Sequence, residues 1–90
     1  MALVRYDQHP SAIVDYPCDW TLPTSVTITA VVSTVLPAGP TVSGTFPTTT
    51  RSQTRVTSPT ADVLYQVEEV VTFSNGEKRV QEFEVMGKNN

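Results

Sequence analysis

Residues 64–85, LYQVEEVVTFSNGEKRVQEFEV, decide the fold because they contain two strand-like runs around a turn signal. On both sides of Asn75-Gly76 apolar residues recur at every second position, which is the period of a strand with one buried face. Asn-Gly between two such runs is the strongest short-range signal for a β-hairpin. We therefore predict a long hairpin in the C-terminal third of the chain.

The register of this hairpin follows from its buried face. A three-residue loop over residues 74–76, with the glycine in the left-handed region, sets Phe83 opposite Val67 and Val85 opposite Tyr65. A two-residue loop would set Phe83 opposite a glutamate and mix the two faces. The sequence therefore predicts the three-residue loop, or a bulge in the returning strand that has the same effect.

Polar residues interrupt the inner face of this hairpin towards its tip. In the predicted register Glu69 faces Gln81 and Val71 faces Arg79. We therefore expect the distal half of the hairpin to project past the core or to lie against a neighbour. Glu69 and Glu82 could be taken for a catalytic carboxylate pair, but on a projecting hairpin they are expected to form a solvated face.

Further strands are predicted upstream. Residues 26–36 alternate apolar and hydroxyl side chains, with a slip at 33–35 that indicates a bulge or a strand end. Residues 41–46 and 53–57 read as shorter strands, and Pro- and Gly-containing turns separate the runs. Five or six short strands with frequent turns are typical of a small antiparallel β-sandwich.

Composition agrees with an all-β single domain. The 90 residues include 14 Thr and 14 Val, which favour strands, and one Cys, which excludes a disulfide scaffold. A net charge of −3 argues against nucleic acid as a partner, and no run is apolar enough to span a membrane. Arg5 and Asp7 stand where a signal peptide needs an apolar core, so synthesis and retention in a cytoplasm are expected.

Charge is unevenly distributed along the chain. Residues 20–50 carry no charged side chain, whereas residues 62–90 carry the whole net charge. Interface cores are depleted in charge, so the uncharged stretch is the predicted surface for a neighbour.

The first 19 residues are interrupted by His9-Pro10 and Tyr16-Pro17, and Pro cannot donate to a strand ladder. We predict an extended N-terminal arm at 1–19, a sandwich domain at 20–87 and a short tail at 88–90. The arm is expected to dock on a neighbouring chain by strand addition. The predicted partner-binding residues are Leu3, Val4, Tyr6, Ile13 and Val14 of the arm and Glu77 and Arg79 of the hairpin tip.

No catalytic, metal or cofactor site is predicted. His9 stands alone in the arm, Cys18 has no histidine partner, and the spacing of the N-terminal aspartates matches no calcium loop. Trp20 is expected to plug the core between the sheets, with a partner-facing anchor as the alternative. The predicted structural residues are Trp20, Tyr65, Val67, Phe83, Val85, Asn75 and Gly76.

Three stretches in order resemble a known family: Asp15-Tyr-Pro-Cys-Asp-Trp20, residues 35–44 (VLPAGPTVSG) and residues 64–76. Together they resemble the small Ig-like virion proteins of tailed bacteriophages described as fibre–tail adaptors, over residues 15–86. The resemblance implies an Ig-like sandwich and a non-enzymatic virion component, made in the bacterial host cytoplasm. It also implies several symmetric copies that join neck, tail or fibre parts during assembly.

Two other functions remain open at this stage. A capsid decoration protein is also commonly a small β-sandwich. A carbohydrate- or surface-binding Ig-like module is a different class, and it usually exposes aromatic side chains near polar groups. With one Trp and three Tyr in the chain, the sequence offers little for a glycan site.

Overall fold

The computed structural model describes residues 4–88, which form seven β-strands joined by turns. The strands are β1 (Arg5–Gln8), β2 (Ile13–Asp19), β3 (Ile28–Leu36), β4 (Thr41–Thr48), β5 (Arg51–Thr57), β6 (Leu64–Phe73) and β7 (Lys78–Gly87). This confirms the all-β prediction.

Two sheets pack face to face. One has four strands in the order β1-β7-β6-β3, and the other has three in the order β2-β5-β4. If β2 to β7 are lettered B to G, the sheets are B-E-D and C-F-G, which is the strand order of an immunoglobulin sandwich. Strand β1 lies beside β7 and runs parallel to it.

The buried hydroxyl of Tyr65 supports the same assignment. Tyr65 stands near the start of β6, and its hydroxyl oxygen accepts a hydrogen bond of 3.2 Å from the backbone N–H of Thr60. A tyrosine at this corner that bonds back to the upstream backbone is typical of Ig-like domains. The side chain therefore ties the loop between β5 and β6 to the core.

The predicted hairpin register is confirmed. Tyr65 pairs with Val85 and Val67 pairs with Phe83, all of them buried. The loop occupies residues 74–76, with Gly76 at a φ of 89°. That conformation suits glycine because it has no Cβ to clash.

The expectation that the distal half of the hairpin projects past the core was wrong. Val71 and Phe73 are buried with Ile28 in a second apolar cluster, separate from the first, which is built from Tyr16, Val56, Val67, Phe83 and Val85. Residues 20–27 cover this half: Trp20, Leu22 and Val26 pack against the second cluster. The alternation in β6 could not reveal this packing, because the apolar side chains that oppose Val71 and Phe73 come from a loop distant in sequence.

The predicted arm is part of the sandwich. Strand β1 pairs with β7, and β2 pairs with β5 along its whole length. Pro17 is tolerated because β2 is an edge strand, where a missing N–H can face away from the ladder. The prediction of a separate arm was therefore wrong for the described residues, and Leu3 lies outside them.

A buried hydrogen bond fixes β1 to β2. Gln8 is buried, and its Nε2 donates to the carbonyl of Val56 at 2.8 Å and to that of Ala12 at 3.0 Å. Its Oε1 accepts from the Tyr16 hydroxyl at 2.7 Å. Burial raises the pKa of Tyr16 to about 12, with Tyr6 adding to the shift, so the phenol stays a donor.

The slip predicted within residues 33–35 lies earlier, between Ile28 and Ala30. As a result Val31 and Val35 contribute to the core, whereas Val32 faces solvent. A bulge shifts the phase of every later residue in the strand.

Candidate interaction surfaces

The polar centre of the sandwich is built around Glu69, which is 1% exposed. Its Oε1 accepts a hydrogen bond of 2.6 Å from the Ser52 hydroxyl, and its Oε2 accepts one of 2.7 Å from the Thr54 hydroxyl. Both donors stand on β5, on the facing sheet. The prediction that Glu69 lies on a solvated face was therefore wrong.

Two further side chains complete this network. The indole N–H of Trp20 donates to Ser52 at 2.8 Å, and the hydroxyls of Ser33 and Thr54 are 2.7 Å apart. Because an indole N–H can only donate and a carboxylate can only accept, the Ser52 hydroxyl accepts from Trp20 and donates its own hydrogen bond to Glu69. The same logic makes Thr54 the donor to Glu69, and Ser33 the donor to Thr54. The network therefore links the two sheets through the Glu69 carboxylate.

Trp20 accordingly has a structural role, although it is only partly buried. Its ring lies edge-on to Phe73, with centroids 5.5 Å apart. Its indole N–H donates to Ser52 and so joins the hydrogen-bond network around Glu69. Trp20 packs against the second cluster from the segment before β3.

Cys18 and His9 stand in settings that do not favour chemistry. Burial raises the pKa of the Cys18 thiol, and the charges of Glu69 and Asp19 raise it further, so the reactive thiolate is disfavoured. His9 uses Nδ1 to accept a hydrogen bond from the Ser11 backbone N–H at 3.0 Å. Within residues 4–88 no group of three or more His, Cys, Asp or Glu is placed to hold a metal ion.

A small cleft opens on one side of the sandwich, between β1, β2 and β7. It has a volume of ≈ 60 Å³ and its lining includes Val4, Tyr6, Tyr16 and Cys18, with Glu69 at its inner end. Pockets for small-molecule ligands usually measure about 300–1,000 Å³. The cleft is therefore of a size for one side chain rather than a substrate.

The rim of this cleft, defined as Val4 and Tyr6 and here called the open flank, is apolar and exposed. Val4 is 56% exposed. The Tyr6 ring packs at a tilt against Tyr16, with centroids 4.7 Å apart, and lies edge-on to Phe83 at 5.7 Å between centroids. These contacts hold Tyr6 in place while part of its ring stays open to a partner.

The structure separates the other predicted partner-binding residues from this flank. Val14 packs on the first core cluster, whereas Ile13 is exposed on the outer face of the three-stranded sheet. Glu77 and Arg79 are exposed near the hairpin tip, 3.6 Å apart. The Arg79 guanidinium also lies over the Phe73 ring, 5.8 Å from its centroid.

Charges on the outer face of the three-stranded sheet are internally paired. Arg55 binds Asp15 through two hydrogen bonds of 2.8 and 3.2 Å, and Arg51 binds Asp19 at 2.6 and 3.2 Å. These hydrogen bonds hold the pKa of both aspartates below the usual value. The face is thus electrically balanced without a partner.

The outer face of the four-stranded sheet differs. Val32, Val70 and Val80 stand side by side on β3, β6 and β7, and Val32 is 60% exposed. In the neighbouring row Glu68 is directly opposite Glu82. The uncharged stretch at 20–50 contributes β3 to this face and β4 to the edge of the other sheet. No sequence motif marked the valine row, because it arises only when three strands align.

Comparison with known proteins agrees with this architecture. The family model described as "Podophage GP4 fiber-tail adaptor protein gp77" matches residues 8–86, which confirms the resemblance seen over residues 15–86. Comparison with curated proteins finds no match. No helix in residues 4–88 is long and apolar enough to cross a membrane. The matched family consists of structural phage adaptors, a role that implies contacts with other virion proteins and no catalysis. The chain belongs to the podophage GP4 fiber-tail adaptor (gp77) family.

Proposed function

We propose that this protein is a virion adaptor that joins a tail component to a fibre component during particle assembly. The observation that carries the proposal is the family match over residues 8–86, which spans β2 to β6 and nearly all of β7. The match favours the tail and fibre region over the capsid lattice. We further propose that several copies act together around the tail.

An adaptor has to hold two neighbours, and this small domain exposes apolar side chains on two different sides. One is the open flank, Val4 and Tyr6. The other is the outer face of the four-stranded sheet. Exposed apolar residues scattered singly need no explanation, but here each set is contiguous, which supports a binding role.

The open flank suits a side chain inserted by a partner. Its tyrosine is held by two aromatic contacts, so little entropy is lost when a partner covers it, and Tyr is enriched among interface hot spots. Because β1 is already paired with β7, contact through side chains is a better account than docking of a free arm.

The hairpin tip is a proposed further contact, through Glu77 and Arg79. Reversing either charge alone should weaken attachment more at low salt than at high salt. The swapped pair Glu77→Arg with Arg79→Glu restores the local ion pair. Failure of the swap to restore attachment supports a partner at the tip, whereas full rescue shows that only the internal pair matters.

The adaptor function is tested with particles made without this protein. We expect them to carry tails that lack fibres, and addition of the purified chain should restore fibre attachment. Cryo-electron microscopy of complete particles should place the sandwich between tail and fibre. Density on the capsid lattice, or fibres that persist without the chain, would overturn the proposal and favour a decoration protein.

A further inference from the structure

The outer face of the four-stranded sheet carries a continuous apolar row. Val32 pairs with Val70, which pairs with Val80, so the three side chains lie on one face of adjacent strands. Val32 is 60% exposed and Val80 is 53% exposed. On the same face of β3, Leu36 is 72% exposed. Alternation along a strand places every second residue on this face, so these residues form one surface.

The row next to the valines is acidic. Glu68 stands opposite Thr34 on one side and Glu82 on the other. Like charges directly opposite each other in a sheet are destabilising. Glu82 accepts a hydrogen bond of 2.7 Å from the neutral Gln66 amide. Within residues 4–88 the ion pairs involve neither Glu68 nor Glu82.

The outer face of the three-stranded sheet, on the opposite side of the molecule, differs because its acidic side chains are paired. There the acidic side chains of Asp15 and Asp19 each have an arginine on the adjacent strand. Balanced charge suits a surface that stays in water. Two facing glutamates beside exposed valines do not, because the isolated chain bears both the repulsion and the exposed apolar area.

We infer that the outer face of the four-stranded sheet docks onto a virion protein whose contact surface is apolar and flanked by Lys or Arg. The apolar part covers the valine row, and the basic group lies over Glu68 and Glu82 and removes their repulsion. The inference rests on the proposed adaptor function and specifies the chemistry of one of its two partners. It differs from the open flank, whose lining is aromatic.

The size of the face limits how it can act. Three strands over about seven residues cover roughly 350 Å², which is less than half of the about 800 Å² that a standard interface buries on each partner. One copy therefore binds weakly through this face alone. Several copies held on one ring gain from a high effective concentration, which agrees with an adaptor used in multiple copies.

The test uses particles assembled without this chain, with purified full-length variants added back and bound protein and attached fibres counted. Glu68→Gln with Glu82→Gln removes two negative charges from the face. Thr41→Lys with Thr45→Lys is the matched control, since it changes the net charge by the same amount on the outer face of the other sheet. Val32→Thr with Val80→Thr makes the valine row polar with β-branched residues, and Val32→Ile with Val80→Ile keeps it apolar.

We expect the double glutamine and double threonine variants to bind the particles about tenfold more weakly than the unchanged chain. The defect of the glutamine variant should shrink as the salt concentration rises. The lysine and isoleucine controls should bind like the unchanged chain. Unfolding midpoints measured in parallel exclude misfolding. If the unchanged chain fails to restore fibres, the adaptor function is wrong. If it restores them and both test variants bind equally well, the adaptor function stands and this docking face is wrong.

Discussion

Replacement of Glu69 tests whether the buried hydroxyl network stabilises the sandwich. Glu69→Leu keeps about the same volume but removes both acceptor oxygens. The Thr54 hydroxyl can then turn to Ser33, whereas the Ser52 hydroxyl, which accepts from Trp20, is left without an acceptor. Glu69→Gln keeps one acceptor oxygen. Its amide nitrogen then donates to Thr54, whose hydroxyl turns to donate to Ser33, 2.7 Å away. Only the leucine variant removes the acceptor of the Ser52 hydroxyl.

The two changes differ in magnitude. Each buried hydroxyl without an acceptor costs about 1–3 kcal/mol, and loss of the carboxylate returns part of this because a buried charge is expensive to desolvate. Because only the Ser52 hydroxyl is left without an acceptor, we expect Glu69→Leu to lower the free energy of unfolding by about 1–3 kcal/mol. Glu69→Gln, which keeps both bonds in neutral form, should cost about 1 kcal/mol or less.

Urea unfolding followed by tryptophan fluorescence measures both, because Trp20 is the only Trp and donates to Ser52 within the network. In a thermal melt, at about 4–8 °C per kcal/mol for a domain of this size, the leucine variant should unfold about 5–25 °C lower. Ser33→Ala should cost more in the Gln background than in the unchanged chain, since Thr54 then has no acceptor. A leucine variant as stable as the glutamine variant would refute the network argument and show that the buried carboxylate is a net burden.

Three further predictions concern other parts of the fold. Tyr65→Phe removes the acceptor of the Thr60 N–H and should lower the free energy of unfolding by about 1 kcal/mol, seen as a lower urea midpoint at an unchanged slope. Gly76→Ala should cost about 1–2 kcal/mol from backbone strain alone, because φ is 89° and an added Cβ meets no atom within 4 Å; equal stability would contradict this. The hydrogen bond from Arg55 lowers the pKa of Asp15, so this pair stabilises the fold above the ordinary carboxyl pKa of about 3.9 and loses its contribution as the pH falls through the lowered value. Asp15→Asn should therefore shrink the difference in melting temperature between pH 5 and pH 2, and an unchanged difference would exclude the pair as a cause.

The C-terminal hairpin could be predicted from sequence because its information is local. Asn75-Gly76 and the two alternating runs specify the loop, and only one register buries Phe83 and Val85 on one face. The bulge near Ile28 could not be placed, because both hydroxyl side chains and valines occur on each face of β3 and the alternation does not distinguish one phase from the other.

Long-range pairing explains the remaining errors. The segment predicted as an arm is held by ladders to β5 and β7, and neither ladder has a local signal. Glu69 was assigned to solvent because a charged residue is rarely buried. Its partners Ser52 and Thr54 lie on another strand, and hydroxyl residues are so common in this chain that none stands out as a donor to a buried carboxylate.

The parallel pairing of β1 with β7 has a mechanical consequence. Because the two strands run in the same direction, tension applied through residues 4 and 88 pulls them past each other along their length. The hydrogen bonds between them, such as the 2.8 Å bond from the Glu84 N–H to the Val4 carbonyl, then lie across the line of force. Bonds loaded in this way are strained together instead of opening one after another. The pairing of β1, the shortest strand, with β7 thus makes the domain resist stretching from its ends.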